Sequence, residues 1–524
     1  MLPPHFIVLS SLVVAANAAI GPSATLTVGN AQLAPDGYSR DTTVVNGQFP
    51  GPLITGNMGD TFSLNVVDAL TDGALDTVTS IHWHGLFQHT TNHADGVAFV
   101  TQCPLIPNES FLHQFSVPGQ AGTFWYHSHY KTQYCDGLRG PLVIYDPNDA
   151  QADLYDVDND DTVITLADWY HYLSTVAPPG AAHPNTTLVN GLGRYAGGPL
   201  TDLAVVNVQA GKRYRFRLIS ISCDTYFTFS IDGHQFSVIE VDGTAHQPLL
   251  IDSLDILAAQ RYSLVMAADQ PVDNYWIRAA PNNIASGFTI GTNSAILRYA
   301  GAGTSDPTST SSPSLKLNEQ DLHPLTDAAA PGAPTPGGAD INIELDVTLA
   351  NNIFSVNGVP FSSPDIPVLL QILSGTPASS LLPTGSIYPI ALNKSVEIVI
   401  PGGVGGGPHP IHLHGHTFSV VRSAGNDSYN FVNPPKRDVV SIGTSSTDRT
   451  TIRFTTDNPG PWFLHCHIDW HLNSGFAVVI AEDVPDVSSI DNPPSDWRAL
   501  CPAYDQYANA TGIQNGINAV PHVV

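Results

Sequence analysis

His465-Cys466-His467 sets a thiol between two imidazoles. In an extended strand, residues i and i+2 point to one face and i+1 to the other, so His465 and His467 can serve one metal site while Cys466 serves a second. Two metal centres joined by one residue's backbone have a short covalent path for electrons, which a hydrolytic or storage site would not need. Three more motifs accompany this one: HWHG with His82 and His84, HSH with His127 and His129, and HPIHLHGH with His409, His412, His414 and His416. With 21 histidines in 524 residues, about one His-x-His pair is expected by chance. The chain has five, some overlapping. A lone pair of this kind is more often packed or surface-exposed than ligating, but their joint occurrence with HCH reverses that reading.

Imidazole suits copper, zinc, iron and nickel, whereas a trigonal His2Cys set is the blue-copper pattern, and Cys466 with His409 and His471 would supply it. The other motif imidazoles are then available for a cluster. Structural zinc prefers closed, Cys-rich sets with CxxC-like spacing, and the sequence contains no CxxC.

The elements that must position these residues read as β-strands. Period-two alternation is clearest at Ile341 to Leu349, which predicts one half-buried strand, and Tyr214-Arg215-Phe216-Arg217-Leu218 repeats it. The 44 Gly and 42 Pro supply turns at the short intervals a β-sandwich requires. Helical periodicity is scarce, with short helices expected near Gly137 to Arg139 and after His471. A chain of 524 residues is too long for one core, and three domains fit the motif layout. Ser/Thr/Pro/Gly-rich sequence from Gly301 to Asp340 marks the passage into the third. The acidic run from Asp146 to Asp161 marks a weaker break. Cluster ligands must converge, so motifs near both chain ends imply that the first and third domains meet, with the middle domain holding them in register and lining the substrate site.

A formal charge of −27 would repel nucleic acid and anionic membrane surfaces, which excludes both as partners. Residues 1–18 read as a removable secretory leader, apolar from Phe6 to Ala16 and ending in the small residues Ala16-Asn17-Ala18. No other stretch approaches the ~20 apolar residues of a membrane span. Of five cysteines, four remain once Cys466 is a ligand, an even number that suits two disulfides in an oxidising compartment, with three pairings open. Sequons at Asn108, Asn185, Asn393, Asn426 and Asn509 agree with an extracellular protein.

The motifs TSIHWHG (79–85), GTFWYHSH (122–129), QYCDGLRGP (133–141), HPIHLHGH (409–416) and GPWFLHCHIDWHLNSGF (460–476) resemble those of the multicopper oxidases, and within that family the secreted fungal laccases of basidiomycete type. The resemblance covers nearly the whole mature chain. It implies an all-β protein of three consecutive cupredoxin-like Greek-key β-sandwich domains, placed at 19–149, 150–318 and 319–524. It implies four copper ions: one type 1 at His409, Cys466 and His471, one type 2 at His82 and His412, and a type 3 pair at His84, His127, His129, His414, His465 and His467. His416 is not a ligand in the family and is expected to play a structural part. The family pattern pairs Cys103 with Cys501 and Cys135 with Cys223.

The implied reaction is one-electron oxidation of phenolic or related aromatic substrates coupled to four-electron reduction of O2 to water, by a secreted monomer. The family's axial position ten residues on from the cysteine is Phe476, with Ile468 on the other side. Neither coordinates copper, so the type 1 potential should be raised. Asp224 matches the family position for a carboxylate that accepts the phenolic proton, the His471 edge is the expected electron entry, and the loop Gly402 to Pro408 is expected to line an apolar pocket. Asp95 and Asp469 match acidic positions near the oxygen site, as proton donors or as acceptors orienting histidines. His93 departs from the pattern, since fungal laccases often have an aromatic residue there. Competing readings are a ferroxidase or ascorbate-type oxidase with the same coppers, and a non-enzymatic copper-binding glycoprotein.

Overall fold

The computed structural model describes residues 18–177, 183–282 and 291–518. All but the last residue of the expected leader, and residues 519–524 of the C-terminal tail, lie outside that range. Among the described residues no helix is long and apolar enough to cross a membrane.

Strands dominate, paired into three successive two-sheet sandwiches. In the first, Arg40–Val45, Ser23–Leu33, Thr61–Asp68 and Ser110–Ser116 form one sheet, and Ile54–Asn57, Arg139–Tyr145, Gly122–Ser128 and Ile81–His84 form the other. The second stacks a six-stranded sheet on a five-stranded one, and the third pairs two five-stranded sheets. Strand order departs from chain order throughout, and parallel pairs such as Ser23–Leu33 with Thr61–Asp68 mark the long crossovers of Greek-key connection. The cause is local: in Thr61–Asp68 the residues Phe62, Leu64 and Val66 are buried while their neighbours face outward. Period-two sequence therefore gives a sheet with one face in the core. The disulfides Cys103–Cys501 and Cys135–Cys223 form as the resemblance implied, tying the first sandwich to the C-terminal helix and to the second sandwich.

Several expectations need correction. Ile341 to Leu349 is two short strands, not one. Ile341–Glu344 pairs in parallel with Ser395–Pro401, whereas Val347–Ala350 turns antiparallel onto Ile353–Val356. The alternation survives the change of partner because Leu345 and Val347 stay buried between exposed neighbours. Tyr214 to Leu218 is a strand, but its arginines are not on a solvated face. Arg215 and Arg217 are buried, Arg215 against Glu240 and Arg217 on Asp158 at 2.7 Å, and Arg217 Nη1 donates to Thr123 Oγ1 at 3.0 Å. That face is the seam with the first sandwich. The short helix expected near Gly137 to Arg139 lies just before it, as a 3-10 helix at Gln133–Asp136 ended by Gly137 at φ 126°, and Arg139 already begins a strand. The helix expected after His471 is Asp469–Asn473, which contains it. A 17-residue helix, Ser495–Thr511, was not foreseen; it buries Trp497, Leu500 and Tyr504 along one stripe and carries Cys501.

Candidate metal centres

Two antiparallel pairings build the site. His82 lies opposite His127 in the first sandwich, and His412 lies opposite His465 in the third. The strands present alternate residues to opposite faces, so Trp83 and Tyr126 go into the core while their histidine neighbours turn toward the other domain. The two sets meet: the His84 and His412 rings stack at 3.8 Å between centroids, His82 and His414 lie at 4.0 Å, and His129 and His465 at 5.1 Å. All eight imidazoles are buried.

Their hydrogen bonds fix which nitrogen faces inward. The Nδ1–H groups of His82, His127, His412 and His465 donate to the carbonyls of Asp95, Ser128, Asp438 and Cys466 at 2.7–2.9 Å. His414 Nδ1 donates to Asp95 Oδ2 at 2.9 Å, and His467 Nδ1 meets the Tyr134 hydroxyl at 3.2 Å. His84 is turned the other way, with Nε2 3.4 Å from Asp438 Oδ1. In a neutral imidazole the second nitrogen then carries a lone pair. The buried nitrogens without a protein partner are His82 Nε2, His84 Nδ1, His127 Nε2, His129 Nε2, His412 Nε2 and His467 Nε2. His414 Nε2 and His465 Nε2 face each other at 3.1 Å, and two lone pairs at that separation repel unless a cation lies between them. Burial holds most of these rings neutral: His84, His127, His129, His412, His414 and His467 are pushed well below their ordinary value, and His465 to about 3. Converging lone pairs on neutral, hydrogen-bonded imidazoles are what transition-metal ligation requires.

On the opposite face of the HCH strand, Cys466 Sγ lies 3.7 Å from His409 Nδ1 and 3.7 Å from His471 Nδ1, which are 3.0 Å from each other. This triangle could hold one ion. His409 Nε2–H points at the Val404 carbonyl at 3.3 Å, leaving Nδ1 as the ligand atom. Burial pushes the Cys466 thiol well above its ordinary value, with the Asp224 and Asp469 carboxylates adding to the effect; only a bound cation would make it a thiolate here. Ile468 and Phe476 are buried beside it, and Phe354, which sequence reasoning missed, stacks on Phe476 at 5.2 Å and lies 4.7 Å from the His471 ring. The Cys466 carbonyl accepts His465 Nδ1–H, so the two sites are joined by a hydrogen bond as well as by the chain.

The remaining candidates separate. Asp95 is fully buried and touches two cluster rings, His414 and, at 3.2 Å, His82. Asp469 lies instead 3.5 Å from Cys135 Sγ, while it is the Tyr134 hydroxyl that meets His467 Nδ1, at 3.2 Å. Asp224 is half-buried, its N–H held by Asp168 Oδ2 at 2.9 Å. His416 turns away from the cluster toward Glu482, at 3.1 Å. His93 pairs with buried Asp491, so a polar contact replaces the family's aromatic one. The loop Gly402 to Pro408 folds down over His409, and the cavity that Pro408 lines, about 450 Å³, is rimmed mainly by polar residues such as Asp255, Gln260 and Arg437, against the apolar lining expected.

Sequence reasoning also missed Asp168, Arg261 and Asp438. Asp168 accepts from Arg139, from Tyr170 and from the N–H groups of Cys223, Asp224 and Thr225. Asp438 accepts both Arg261 Nη1 and Nη2 at 2.6 and 2.7 Å and orients His84 and His412. Apart from Tyr170, their partners lie far off in the chain, so no local spacing announces them. Because Asp95 fixes two rings at once, Asp95→Asn is expected to weaken copper retention by about 10–100-fold, read by titrating the holoprotein with a chelator; wild-type retention would remove Asp95 from the site.

Three family models described as multicopper oxidase match residues 27–149, 160–302 and 361–486. A laccase of Phlebia radiata is 58% identical over 95% of this chain and 97% of its own, and a laccase of Trametes hirsuta shows the same figures. Among solved structures, the laccase from Botrytis aclada superposes with a TM-score of 0.80 at 31% identity, covering 95% of this chain and 94% of that one. Fet3p, a multicopper oxidase that functions in iron import, gives 0.79 at 27% identity, covering 95% and 96%. The sandwiches are thus cupredoxin-like, and the chain belongs to the multicopper oxidase family, on its basidiomycete laccase branch.

Proposed function

We propose that this protein is a secreted, monomeric laccase, taking one electron from each of four phenolic or related aromatic molecules for every O2 reduced to water. The observation that carries the proposal is the convergence of eight imidazoles behind a His2Cys triangle, linked through Cys466 and His465. His409, Cys466 and His471 would hold the type 1 copper, His82 and His412 the type 2, and His84, His127, His129, His414, His465 and His467 the type 3 pair. Bound copper supplies one-electron oxidation at the first site and four-electron reduction of O2 at the cluster. The chain's own residues do the rest. His471, 4% exposed, offers its imidazole edge to the substrate, and Asp224 takes the phenolic proton as the O–H bond breaks. Cys466 and its neighbouring histidines form the covalent route between sites, and Asp95 holds its two rings in place. Two disulfides support an oxidising compartment, and the sandwich divisions support domains at 19–149, 150–318 and 319–524.

Oxygen uptake measured beside radical formation tests the reading. Four radicals per O2 are expected, and sustained peroxide release in place of water would overturn it. The likeness to Fet3p favours iron oxidation as a second reading; faster turnover of Fe(II) than of a methoxyphenol would support it.

Phe476 and Ile468 give the sulfur apolar cover and no axial bond. Phe476→Met is expected to lower the type 1 potential, because a thioether ligand stabilises Cu(II). A redox titration matching wild type would refute this.

A further inference from the structure

Trp470, beside His471 in the chain, is buried at the first site, and its ring packs edge-on against Tyr170 at 5.8 Å between centroids. Tyr170 is buried too, and lies 5.4 Å from the ring of Tyr172, which is partly exposed. The Tyr170 hydroxyl donates to Asp168 Oδ2 at 2.9 Å, and the Tyr172 hydroxyl points at the His183 carbonyl at 3.5 Å. Three oxidisable rings in contact thus run from a type 1 ligand to the surface, and none of them is needed by the mechanism above. The residue before Tyr172, His171, is stacked on Tyr38 at 3.9 Å and packed against Tyr195. Tyr195 and the 82% exposed Leu200 line an open cavity of about 390 Å³, which puts an apolar and aromatic surface on this side of the second sandwich.

We propose that Tyr172 is a second oxidation site, for phenolic groups on polymers too large to bring the phenol to His471. The proposal rests on the laccase reading. An electron from Tyr172 passes through Tyr170 and Trp470 to His471, while the Tyr172 phenolic proton leaves to solvent. At Tyr170 the proton can shift to Asp168 and return along its 2.9 Å hydrogen bond, so that ring keeps its charge balance during transfer. The Tyr172 radical then takes a hydrogen atom from a polymer phenol. One phenolic O–H bond breaks in the substrate, the Tyr172 O–H bond reforms, and the net loss is one electron and one proton per phenol. Reduction of O2 to water, the activity proposed above, consumes the electrons.

The copper-loaded protein is incubated in air with a nitroso spin trap and digested for mass spectrometry, and its kcat/KM is measured on a free phenol and on the same phenol tethered to dextran. An adduct at residue 172 is expected in wild type and in neither Tyr172→Phe nor Tyr170→Phe. Tyr172→Phe should lower kcat/KM on the tethered phenol about tenfold and leave the free phenol unchanged. An adduct at residue 172 that persists in Tyr170→Phe, or a tethered phenol that is oxidised equally by Tyr172→Phe, overturns the inference. A wild-type protein that oxidises free phenol yet forms no adduct overturns this inference alone; one that oxidises neither phenol overturns the laccase reading with it.

Discussion

Cys466→Ser abolishes phenol oxidation, with kcat reduced at least about a thousandfold, equivalent to roughly 4 kcal/mol of barrier. The reason is specific to this residue's two connections. Its sulfur is the soft member of the triangle with His409 and His471, and a hydroxyl at that position is a poor copper ligand. Its carbonyl accepts His465 Nδ1–H, and that backbone contact survives the substitution. The cluster should therefore still load, so metal analysis should fall from four coppers to three while the intense thiolate-to-copper absorption disappears. Serine is close in volume to cysteine, and the fold should hold by circular dichroism. Phenol turnover above a tenth of wild type would mean that electrons enter elsewhere.

The chemistry was legible because ligation here is local. Four motifs each put two or more imidazoles on one strand face, and period two carries that arrangement directly into space. What was illegible lies across domain seams. Arg215 and Arg217 alternate with apolar residues as a solvated strand face would, yet they lie on the seam with the first domain, where Arg217 reaches Thr123 and Glu240 and Asp158 of their own domain neutralise them. Period-two reading reports which residues share a face and says nothing of what covers it. The same limit hid Phe354, whose short strand is fixed by pairing with Val347–Ala350 before it meets the His471 ring. The Ser495–Thr511 helix did carry a signal, with Trp497, Leu500 and Tyr504 at helical spacing, but Pro502 within it masks that spacing. Asp438 shows the strongest contrast: it sits in an ordinary KRDVV stretch, and its role exists only because Arg261, from the middle domain, reaches it.

That reach predicts the second large effect. Arg261 is fully buried, donates two hydrogen bonds to Asp438 from the third domain, and donates Nε–H to the Thr123 carbonyl of the first at 3.0 Å. One guanidinium therefore joins all three sandwiches beside the cluster. Gly85 of HWHG fits the same contact. Its φ is +89°, and a Cβ there would lie 2.5 Å from Arg261 Nη2 and 2.8 Å from Asp438 Oδ2, so the glycine leaves room for the ion pair. Arg261→Met removes the partner and strands a buried carboxylate, at a cost of about 3–5 kcal/mol. In a three-domain chain the quantity to read is the urea midpoint of the transition that separates the domains, since unfolding need not be two-state. Asp438 also orients His84 and His412, so copper loss should precede that transition in the variant. Adding Asp438→Asn removes the stranded charge and should recover part of the midpoint, while copper retention stays low because an amide no longer offers His84 a carboxylate. If Arg261→Met unfolds within about 1 kcal/mol of wild type, the clamp does not hold the domains together; if the double variant recovers copper in full, the Asp438 carboxylate does not orient His84.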